Sequence, residues 1–521
     1  MVYRGKPSGG CDTCRARKVK CDETRPVCLR CTKARRTCAG YRDQLSLWFQ
    51  DESDATVQKV KALDKSGSND SAPPTTAVVA IRQAAAQVYR LQHLTFSIPV
   101  FNFALDHIFQ ATCLFLKSYS WLNVSCLVEQ SQTHALSIGE KAMMTGIASV
   151  GLANLANLHN SRPFRISSRS EYTTALQLTN AALCDPVAVK EDTTLTAVAC
   201  LSLYEIICCD KESSLLSWYE HARGIAALLE LRGEEQLHRE TGLQMFQVLR
   251  NEVLIGCLQK RTRMPPTLIR TPYRPNSTAQ SYCADRLVEI AAGLCDLQVQ
   301  MSEEAVTDSV RILTLAMKLE SKLEDFSKEL SAELPYSVSL RSNSQASREE
   351  AVKAVSHYNG YYHVYQSMWT CNTWNNYRYI RILVNSLILA QLRQLMFQSE
   401  RSSVTPGIKS LCRDVRALLR QLAMDVCCAV PYKFGLAQEA ERQALDPLVA
   451  KAGTGFTLLL PLYLASLVDG VSSPVHAWAM RCLGIIGHKM GIRTAVSLMD
   501  VLEREQGWTA WIDLIDGEGD K

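Results

Sequence analysis

Six of the 20 cysteines fall within the 28 residues from Cys11 to Cys38, and their spacing constrains the fold more than any other feature of the sequence. The phrase C-x2-C-x6-C occurs twice, with an offset of seventeen residues. Its members are Cys11, Cys14 and Cys21 in the first half and Cys28, Cys31 and Cys38 in the second. The repeat predicts a small duplicated module with approximate twofold symmetry.

The chemistry expected of these cysteines depends on their compartment. Residues 1–10 lack the apolar core of a secretion signal, and no apolar run approaches the roughly 18 residues of a membrane helix. We therefore expect an intracellular protein without a membrane partner, in which clustered cysteines bind metal more often than they form disulfides.

A C-x2-C pair brings two sulfurs to one ion, and structural zinc takes four ligands. Six thiolates fill two such closed sites only if two of them bridge both ions, which predicts two Zn²⁺ per chain. A redox cluster or a zinc buffer is the alternative, although neither requires a duplicated spacing.

The basic charge of the chain is confined to this module. Residues 1–42 contain twelve Lys and Arg against three acidic residues, a net charge of +9, whereas the rest of the chain carries −4. Such a segment should bind a polyanion.

A short helix after Cys14 would turn basic side chains outward, where they can neutralise phosphates or reach guanine in the major groove. These candidates for DNA binding are Arg15, Arg17, Lys18 and Lys20. The same run can also serve as a nuclear import signal, and the two roles are compatible. The second half carries Lys33, Arg35 and Arg36, so charge alone does not choose between the halves.

The pattern C-x2-C-x6-C-x6-C-x2-C-x6-C with its basic run resembles the fungal Zn2Cys6 binuclear cluster family of transcription factors. By that resemblance Cys11 and Cys28 bridge the two ions. Cys14 and Cys21 complete one ion, and Cys31 and Cys38 complete the other. The resemblance also implies that Lys18 reads bases in CGG-type sites of double-stranded DNA. It predicts a nuclear regulator at RNA polymerase II promoters, not an enzyme, and family members frequently control a cluster of secondary-metabolite genes.

The remainder of the chain divides by composition. Residues 1–42 form the predicted Zn2Cys6 domain, 43–80 a flexible linker, 81–516 a large all-α regulatory domain and 508–521 a short acidic tail. Apolar stripes at helical spacing support the all-α assignment, for example from Leu215 to Leu229 with Gly233 as a cap, and over residues 475–502. Val57, Val60 and Leu63 keep helical spacing for only two turns. A homodimer therefore stays open, as do partners in the transcription machinery or other co-regulators.

Three phrases in the large domain resemble the fungal-specific regulatory domain that follows such clusters: His221–Gly224 leading to Gly233, Trp374–Arg378 and Leu459–Tyr463. No catalytic motif surrounds His221 or His363. The aromatic residues between Tyr361 and Trp374 fit core packing better than a small-molecule pocket. An enzyme with a zinc-anchored targeting domain would need a catalytic constellation that the sequence does not show. A ligand-gated repressor differs from an activator only in what the large domain recruits.

Overall fold

The computed structural model describes residues 11–22, 24, 28–39, 106–119, 124–130, 135–208, 214–271, 278–303, 308–340, 355–398, 406–437, 452–505, 507–509 and 512. The predicted linker at 43–80 and residues 513–521 of the predicted acidic tail lie outside this set. The weak heptad stripe from Val57 to Leu63 lies outside it as well.

Two short helices belong to the cysteine module, α1 (Asp12–Ala16) and α2 (Leu29–Lys33). The large domain is helical, as predicted, and its first helices are α3 (His107–Ser118), α4 (Ser125–Gln130), α5 (Ile138–Leu158), α6 (Arg162–Cys184), α7 (Asp192–Cys208), α8 (Ser214–Arg232), α9 (Glu240–Lys260), α10 (Pro266–Ile269), α11 (Ala279–Glu303) and α12 (Ser309–Glu333). After two strands, β1 (Tyr336–Leu340) and β2 (Tyr361–Tyr365), come α13 (Met368–Gln398), α14 (Pro406–Lys433), α15 (Ala452–Phe456), α16 (Leu459–Leu467), α17 (Pro474–Lys489) and α18 (Arg493–Leu502).

Local sequence sets several helix ends. Ser137 and Glu140 form a capping box at the start of α5, in which each side chain accepts a hydrogen bond from the other residue's backbone N–H. Asp308 accepts from the backbone of Val310 at the start of α12. Gly233 follows the last residue of α8 with a φ of 61°, a conformation that favours glycine, and so ends that helix as predicted.

The core of the large domain is a large cluster of buried apolar side chains that extends from Phe115 to Ile512, with a small separate cluster between α3 and α5. Helix α5 is its central element, because α3, α6 and α7 all pack against it and bury nearly every residue between Gly139 and Ala156. Helix α3 crosses α5 so closely that a Cβ at Gly151 would overlap the carbonyl oxygen of Ala111. No helix among the described residues is both long and apolar enough to span a membrane.

Strands β1 and β2 form an antiparallel pair that the sequence did not indicate, with Tyr336 opposite Tyr365 and Leu340 opposite Tyr361. Strand β1 does not alternate between buried and exposed residues, so it lacks the period-two pattern by which a strand is recognised. The pair joins α12 to α13 through a connection that is only partly described, and β2 packs against α14.

The chain after α18 returns to the core. The backbone N–H of Trp508 donates to Leu467 O at 2.9 Å, and that of Thr509 donates to Val468 O at 3.1 Å. Thr509 and Ile512 are each 1% exposed. The segment predicted as an acidic tail from residue 508 thus begins with residues that pack against the end of α16.

Candidate metal centre and nucleic-acid interface

The two halves of the cysteine module have the same local structure. Helices α1 and α2 are each five residues long and start seventeen residues apart. In the first half the backbone N–H of Cys14 donates to Cys11 Sγ at 3.4 Å, and in the second half the N–H of Cys31 donates to Cys28 Sγ at 3.3 Å. The first sulfur of each half therefore caps its own helix, which places the sulfurs of the C-x2-C pair on the same side of the turn.

Each helix ends in an equivalent turn. The N–H of Val19 donates to Cys14 O and the N–H of Arg36 donates to Cys31 O, both at 3.0 Å. The residues inside these turns are Lys18, with a φ of 53°, and Arg35, with a φ of 49°. A left-handed backbone is uncommon for a residue with a side chain and is often found at functional sites. Both turns thus project a basic side chain from a constrained backbone.

The six sulfur atoms converge into two groups of four. The first comprises Cys11, Cys14, Cys21 and Cys28, and the second comprises Cys11, Cys28, Cys31 and Cys38. Within each group the sulfurs lie within 4.8 Å of one another, and Cys11 and Cys28 belong to both. The Sγ atoms of Cys11 and Cys28 are 3.6 Å apart, and those of Cys14 and Cys28 are 3.7 Å apart. Four sulfurs at the usual Zn–S distance would be about 3.8 Å apart around a tetrahedral ion, so the donor set fits zinc.

The sulfurs are shielded from solvent to different degrees. Cys11 and Cys28 have no exposed surface, whereas Cys21 and Cys38 are half-buried. Burial, together with the neighbouring thiols, raises the pKa of Cys11 and of Cys14 to about 12. Hydrogen bonding with Cys28, followed by burial, raises the pKa of Cys31 to about 12. Thiolates so close together repel one another, so the cluster requires cations to hold all six cysteines deprotonated.

Three polar side chains that the sequence reasoning had not singled out hold the two halves together. Asp22 Oδ2 accepts from the backbone N–H of Leu29, the first residue of α2, at 3.0 Å. Thr13 Oγ1 accepts from the N–H of Ala39 at 3.0 Å. Arg30 Nη1 donates to Lys20 O at 3.1 Å. These contacts join residues seven to 26 positions apart, and residue spacing carries no signal for them.

Asp22 illustrates the electrostatics of these contacts. Desolvation works against its charged form, but hydrogen bonds from Thr24 Oγ1 and from backbone N–H groups outweigh that effect and lower the pKa of the Asp22 carboxyl. The carboxylate therefore stays charged at the start of α2, where the positive end of the helix and the unpaired N–H groups favour an anion.

The basic side chains of the module are exposed in both halves. Arg17, Lys18 and Lys20 are exposed in the first half, and Lys33, Arg35 and Arg36 are exposed in the second. The side chain of Arg15 lies outside the described residues, although its backbone belongs to α1. Exposure therefore leaves the choice between the halves open.

Of the aromatic residues considered from the sequence, Tyr361 is exposed, whereas the last ones belong to a packed core. Tyr365 and Trp374 are buried, and their rings and that of Tyr336 surround the guanidinium of Arg378 at 5.3 to 6.0 Å from the ring centroids. His363 is buried beside them, with its Nδ1 at 3.1 Å from Tyr365 Oη. These aromatic residues pack against one another instead of lining an open pocket.

Comparison with known proteins gives two matches to families. Residues 9–47 match the fungal Zn(2)-Cys(6) binuclear cluster domain, and residues 105–427 match the fungal specific transcription factor domain. The second match alone covers more than half of the chain. No solved structure matches the chain significantly.

Similarity to curated proteins is concentrated in the cysteine module. The transcriptional regulatory protein moc3 of Schizosaccharomyces pombe is 66% identical over 32 residues, which make up 6% of this chain and 6% of that protein. The aspercryptin biosynthesis cluster-specific transcription regulator atnN of Emericella nidulans is 55% identical over 38 residues, or 7% of this chain and 6% of the regulator. Transcription factor lfc1 of Flammulina velutipes is 41% identical over 66 residues, or 13% of this chain and 19% of that protein. The similarity thus spans less than a fifth of each of these relatives.

The order of the two matched families along the chain agrees with the order of the two structural parts. The cysteine module, whose family implies zinc and DNA binding, comes first, and the helical domain follows it. Both families consist of transcription factors, not enzymes. The chain therefore belongs to the fungal transcription factors in which a Zn(2)-Cys(6) binuclear cluster domain precedes a fungal specific transcription factor domain.

Proposed function

We propose that this protein is a zinc-dependent, sequence-specific DNA-binding regulator that acts in the nucleus at RNA polymerase II promoters. The observation that carries the proposal is the pair of four-sulfur groups that share Cys11 and Cys28, flanked by exposed basic side chains. A closed set of sulfur ligands has no open position for a catalytic water. The site therefore serves recognition, with the cysteines holding the shape of the module and the basic residues contacting DNA.

We assign two Zn²⁺ ions to the module. Cys11 and Cys28 would bridge both ions, with Cys14 and Cys21 completing the first and Cys31 and Cys38 completing the second. Bound zinc would supply charge neutralisation and cross-links between the two halves, because a module this short cannot bury a core of its own. The chain's own contribution is to orient the sulfurs, through the two N–H to sulfur bonds that begin α1 and α2.

The DNA contacts are assigned to the first half. Lys18 occupies a constrained turn directly after α1 and is exposed, so its ammonium group can reach guanine O6 and N7 in a CGG-type site. Arg15, Arg17 and Lys20 would neutralise phosphates and fix the register of the module on the duplex. Arg30 contributes indirectly, because its hydrogen bond to Lys20 O holds the backbone that carries the basic run.

The division of the chain follows from this assignment. Residues 1–42 would select the promoter, 43–80 would act as a linker, and the helical domain at 81–516 would control activity through co-regulators, a ligand or self-association to a homodimer. The acidic segment at 508–521 would contribute to contacts with the transcription machinery. The named role of atnN, regulation of a biosynthesis cluster, favours a neighbouring gene cluster for a secondary metabolite as the target here.

The proposal is tested with the full chain by competition binding to a CGG-containing duplex and to a duplex with that triplet altered. Lys18→Met should reduce the discrimination between the two duplexes by about 1–3 kcal/mol, roughly five- to 150-fold, because it removes a base contact. Arg35→Met is the matched control, since Arg35 occupies the equivalent turn of the second half. It should leave the discrimination unchanged. Equal losses of discrimination in the two variants would contradict the assignment of the first half.

A further inference from the structure

Each half of the cysteine module holds the chain segment that follows the helix of the other half. Thr13 lies on α1, and Arg30 lies seventeen residues later, at the equivalent position of α2. Thr13 Oγ1 donates to Thr37 O at 3.2 Å. Arg30 Nη1 donates to Lys20 O, seventeen residues before Thr37, at 3.1 Å. The two contacts are therefore reciprocal, and they follow the duplication of the sequence.

A second pair of contacts lies two residues further along the chain, and here the two halves differ. In the second half the backbone N–H of Ala39 donates to Thr13 Oγ1 at 3.0 Å. In the first half the equivalent residue is Asp22, whose Oδ2 accepts from the backbone N–H of Leu29 at 3.0 Å and from Thr24 Oγ1 at 2.8 Å. Hydrogen bonds to a charged acceptor are roughly twice as strong as those between neutral groups. In this second pair, the segment after α1 thus has the stronger attachment.

The turn that carries Lys18 is attached at both ends. Directly after Lys18, the backbone N–H of Val19 donates to Cys14 O at 3.0 Å, within the first half. Further along, Lys20 and Asp22 are bound to residues of α2, in the second half. The position of Lys18 relative to the rest of the module therefore depends on α2 as well as on α1.

We infer that Asp22 is a positioning residue for the reading of bases. Its carboxylate fixes the end of the basic segment on α2, and so holds the turn of Lys18 in the orientation in which that side chain reaches guanine. The inference rests on the proposed function, in which Lys18 reads the bases. Asp22 acts indirectly, because its Oδ2 is engaged by donors of the module and because phosphate repels a carboxylate. The second half of the module, which reads no base in this assignment, thereby contributes to sequence recognition.

The test compares two variants of the zinc-loaded full chain in the competition assay with the CGG-containing and the altered duplex. Asp22→Asn and Asp22→Ala remove the same negative charge, so both should bind the altered duplex more tightly, by the same factor. The asparagine alone keeps an oxygen that can accept from the N–H of Leu29. We expect Asp22→Asn to retain the discrimination of the wild-type chain. Asp22→Ala should lose about fivefold, the low end of the loss expected for Lys18→Met, because the base contact is displaced and not removed.

Two further variants change no charge. Thr13→Val removes the hydroxyl that holds Thr37 and Ala39 in the second half, and should keep the discrimination of the wild-type chain. Thr24→Val removes one hydrogen bond to Asp22 and should give a loss between those of Asp22→Asn and Asp22→Ala. Zinc content is measured for every variant. If Asp22→Ala retains less zinc than the wild-type chain, Thr24→Val takes its place in the comparison.

The outcomes separate this inference from the proposed function. A wild-type chain that does not discriminate between the two duplexes would contradict the proposed function, and the inference with it. A discriminating wild-type chain with equal discrimination in Asp22→Asn and Asp22→Ala, or in Asp22→Asn and Thr24→Val where zinc is lost, would overturn the inference alone. Equal losses in Asp22→Ala and Thr13→Val would overturn it too, because they would reflect a general loosening of the module.

Discussion

Cys11 and Cys28 each lie in both four-sulfur groups, whereas each of the other four cysteines of the module lies in only one. They are also the two cysteines of the module without exposed surface among its described residues. A substitution at one of these positions therefore removes a ligand from both proposed ions. A substitution at Cys21 or Cys38, at the half-buried edge, removes a ligand from one.

This difference predicts the zinc content of cysteine variants. Cys28→Ser should lose most of both ions, because it removes a thiolate from each, while Cys38→Ser should retain about one ion per chain, because the first ion keeps all four of its thiolates. Zinc per chain is measured by atomic emission after removal of free metal. Cys184→Ser, at an exposed cysteine of the helical domain, should keep the zinc content of the wild-type chain. Equal zinc contents for Cys28→Ser and Cys38→Ser would contradict the bridging assignment.

His363 is the residue whose ionisation should affect stability most clearly. Its Nδ1 lies 3.4 Å from Arg378 Nη2, and because a guanidinium only donates, Nδ1 must accept and the ring proton must lie on Nε2. Burial, and then the charge of Arg378, lower the pKa of His363 to about 3. The ring is therefore neutral in the folded protein down to acidic pH.

The sign of the pH dependence follows from this lowered pKa. In the unfolded chain the histidine takes up a proton below about pH 6.5, whereas in the folded chain it does so only near pH 3. Its contribution to stability is therefore complete above pH 6.5 and is lost on acidification, at up to about 1.4 kcal/mol per pH unit. The free energy of unfolding of wild type minus His363→Gln should fall by about 1 kcal/mol between pH 6.5 and 5.5. The same difference for His159→Gln, an exposed histidine, should stay constant. A constant difference for His363→Gln would show that this site does not resist protonation.

At the scale of single residues, the sequence identified the cysteines because metal chemistry fixes their spacing. It did not identify Asp22, Thr13 or Arg30, because each forms a hydrogen bond with a residue that comes close to it only when the module folds. The role of Lys18 also stays a prediction. Lys18 and Arg35 have the same backbone conformation and exposure class, so only DNA binding distinguishes them.

At the scale of elements, the strand pair β1–β2 is held to α13 by the buried guanidinium of Arg378. Its Nη1 donates to Tyr365 Oη at 2.8 Å and to Asn375 Oδ1 at 3.0 Å. The indole N–H of Trp374 donates to Leu334 O at 2.8 Å, just before β1. The side chains of Trp374 and Arg378, which lie about one turn apart on α13, therefore attach both strands to that helix.

Loss of this guanidinium should destabilise the domain. Arg378→Met would leave the polar atoms of Tyr365, Asn375 and His363 without their buried donor, and should lower the free energy of unfolding by roughly 2–4 kcal/mol. Chemical denaturation followed by the helical signal gives the value. Arg286→Met, in an exposed pair with Glu289, should cost less than about 0.5 kcal/mol. A stability for Arg378→Met equal to that of the wild-type chain would refute the anchoring role.

The helices could be predicted because their apolar residues recur at helical spacing, and the strand pair could not. Strands β1 and β2 are held by their pairing with each other and by contacts with α13 and α14, and these contacts form only in the folded domain.

The stripe predicted over 475–502 proved to be two helices. Gly491, with a φ of 76°, breaks it between α17 and α18, and the apolar periodicity continues across the break because both helices face the same core.

At the scale of the whole molecule, the cysteine module and the helical domain have separate cores. The buried cysteines form one cluster, and the apolar residues of the helices form others that include none of them. We expect apolar burial to hold the fold of the helical domain and metal to hold that of the module, so the two should respond differently to loss of zinc.

Chelation of zinc from the full chain should therefore unfold the module and leave the helical domain folded. We expect circular dichroism at 222 nm to change little, because α1 and α2 contain only five residues each. Limited proteolysis should become faster within residues 11–39 and should stay unchanged in α5 to α7. Readdition of zinc should restore the original pattern. A large loss of helical signal on chelation would show that the two parts fold as one unit.

The division into a metal-dependent module and a helical domain was visible in the sequence because composition, charge and cysteine spacing change together near residue 42. The families matched along the chain confirm that fold class.

The most direct test of the central claim is selection of binding sites from a random duplex pool by the zinc-loaded full chain, at a stated salt concentration because phosphate contacts make affinity salt-dependent. We predict enrichment of CGG-type triplets that disappears with chelator and with Lys18→Met. The number and spacing of the enriched triplets would show whether one half-site or two are bound. A folded, zinc-loaded chain that enriches no sequence would contradict the claim that this protein reads DNA through its cysteine module.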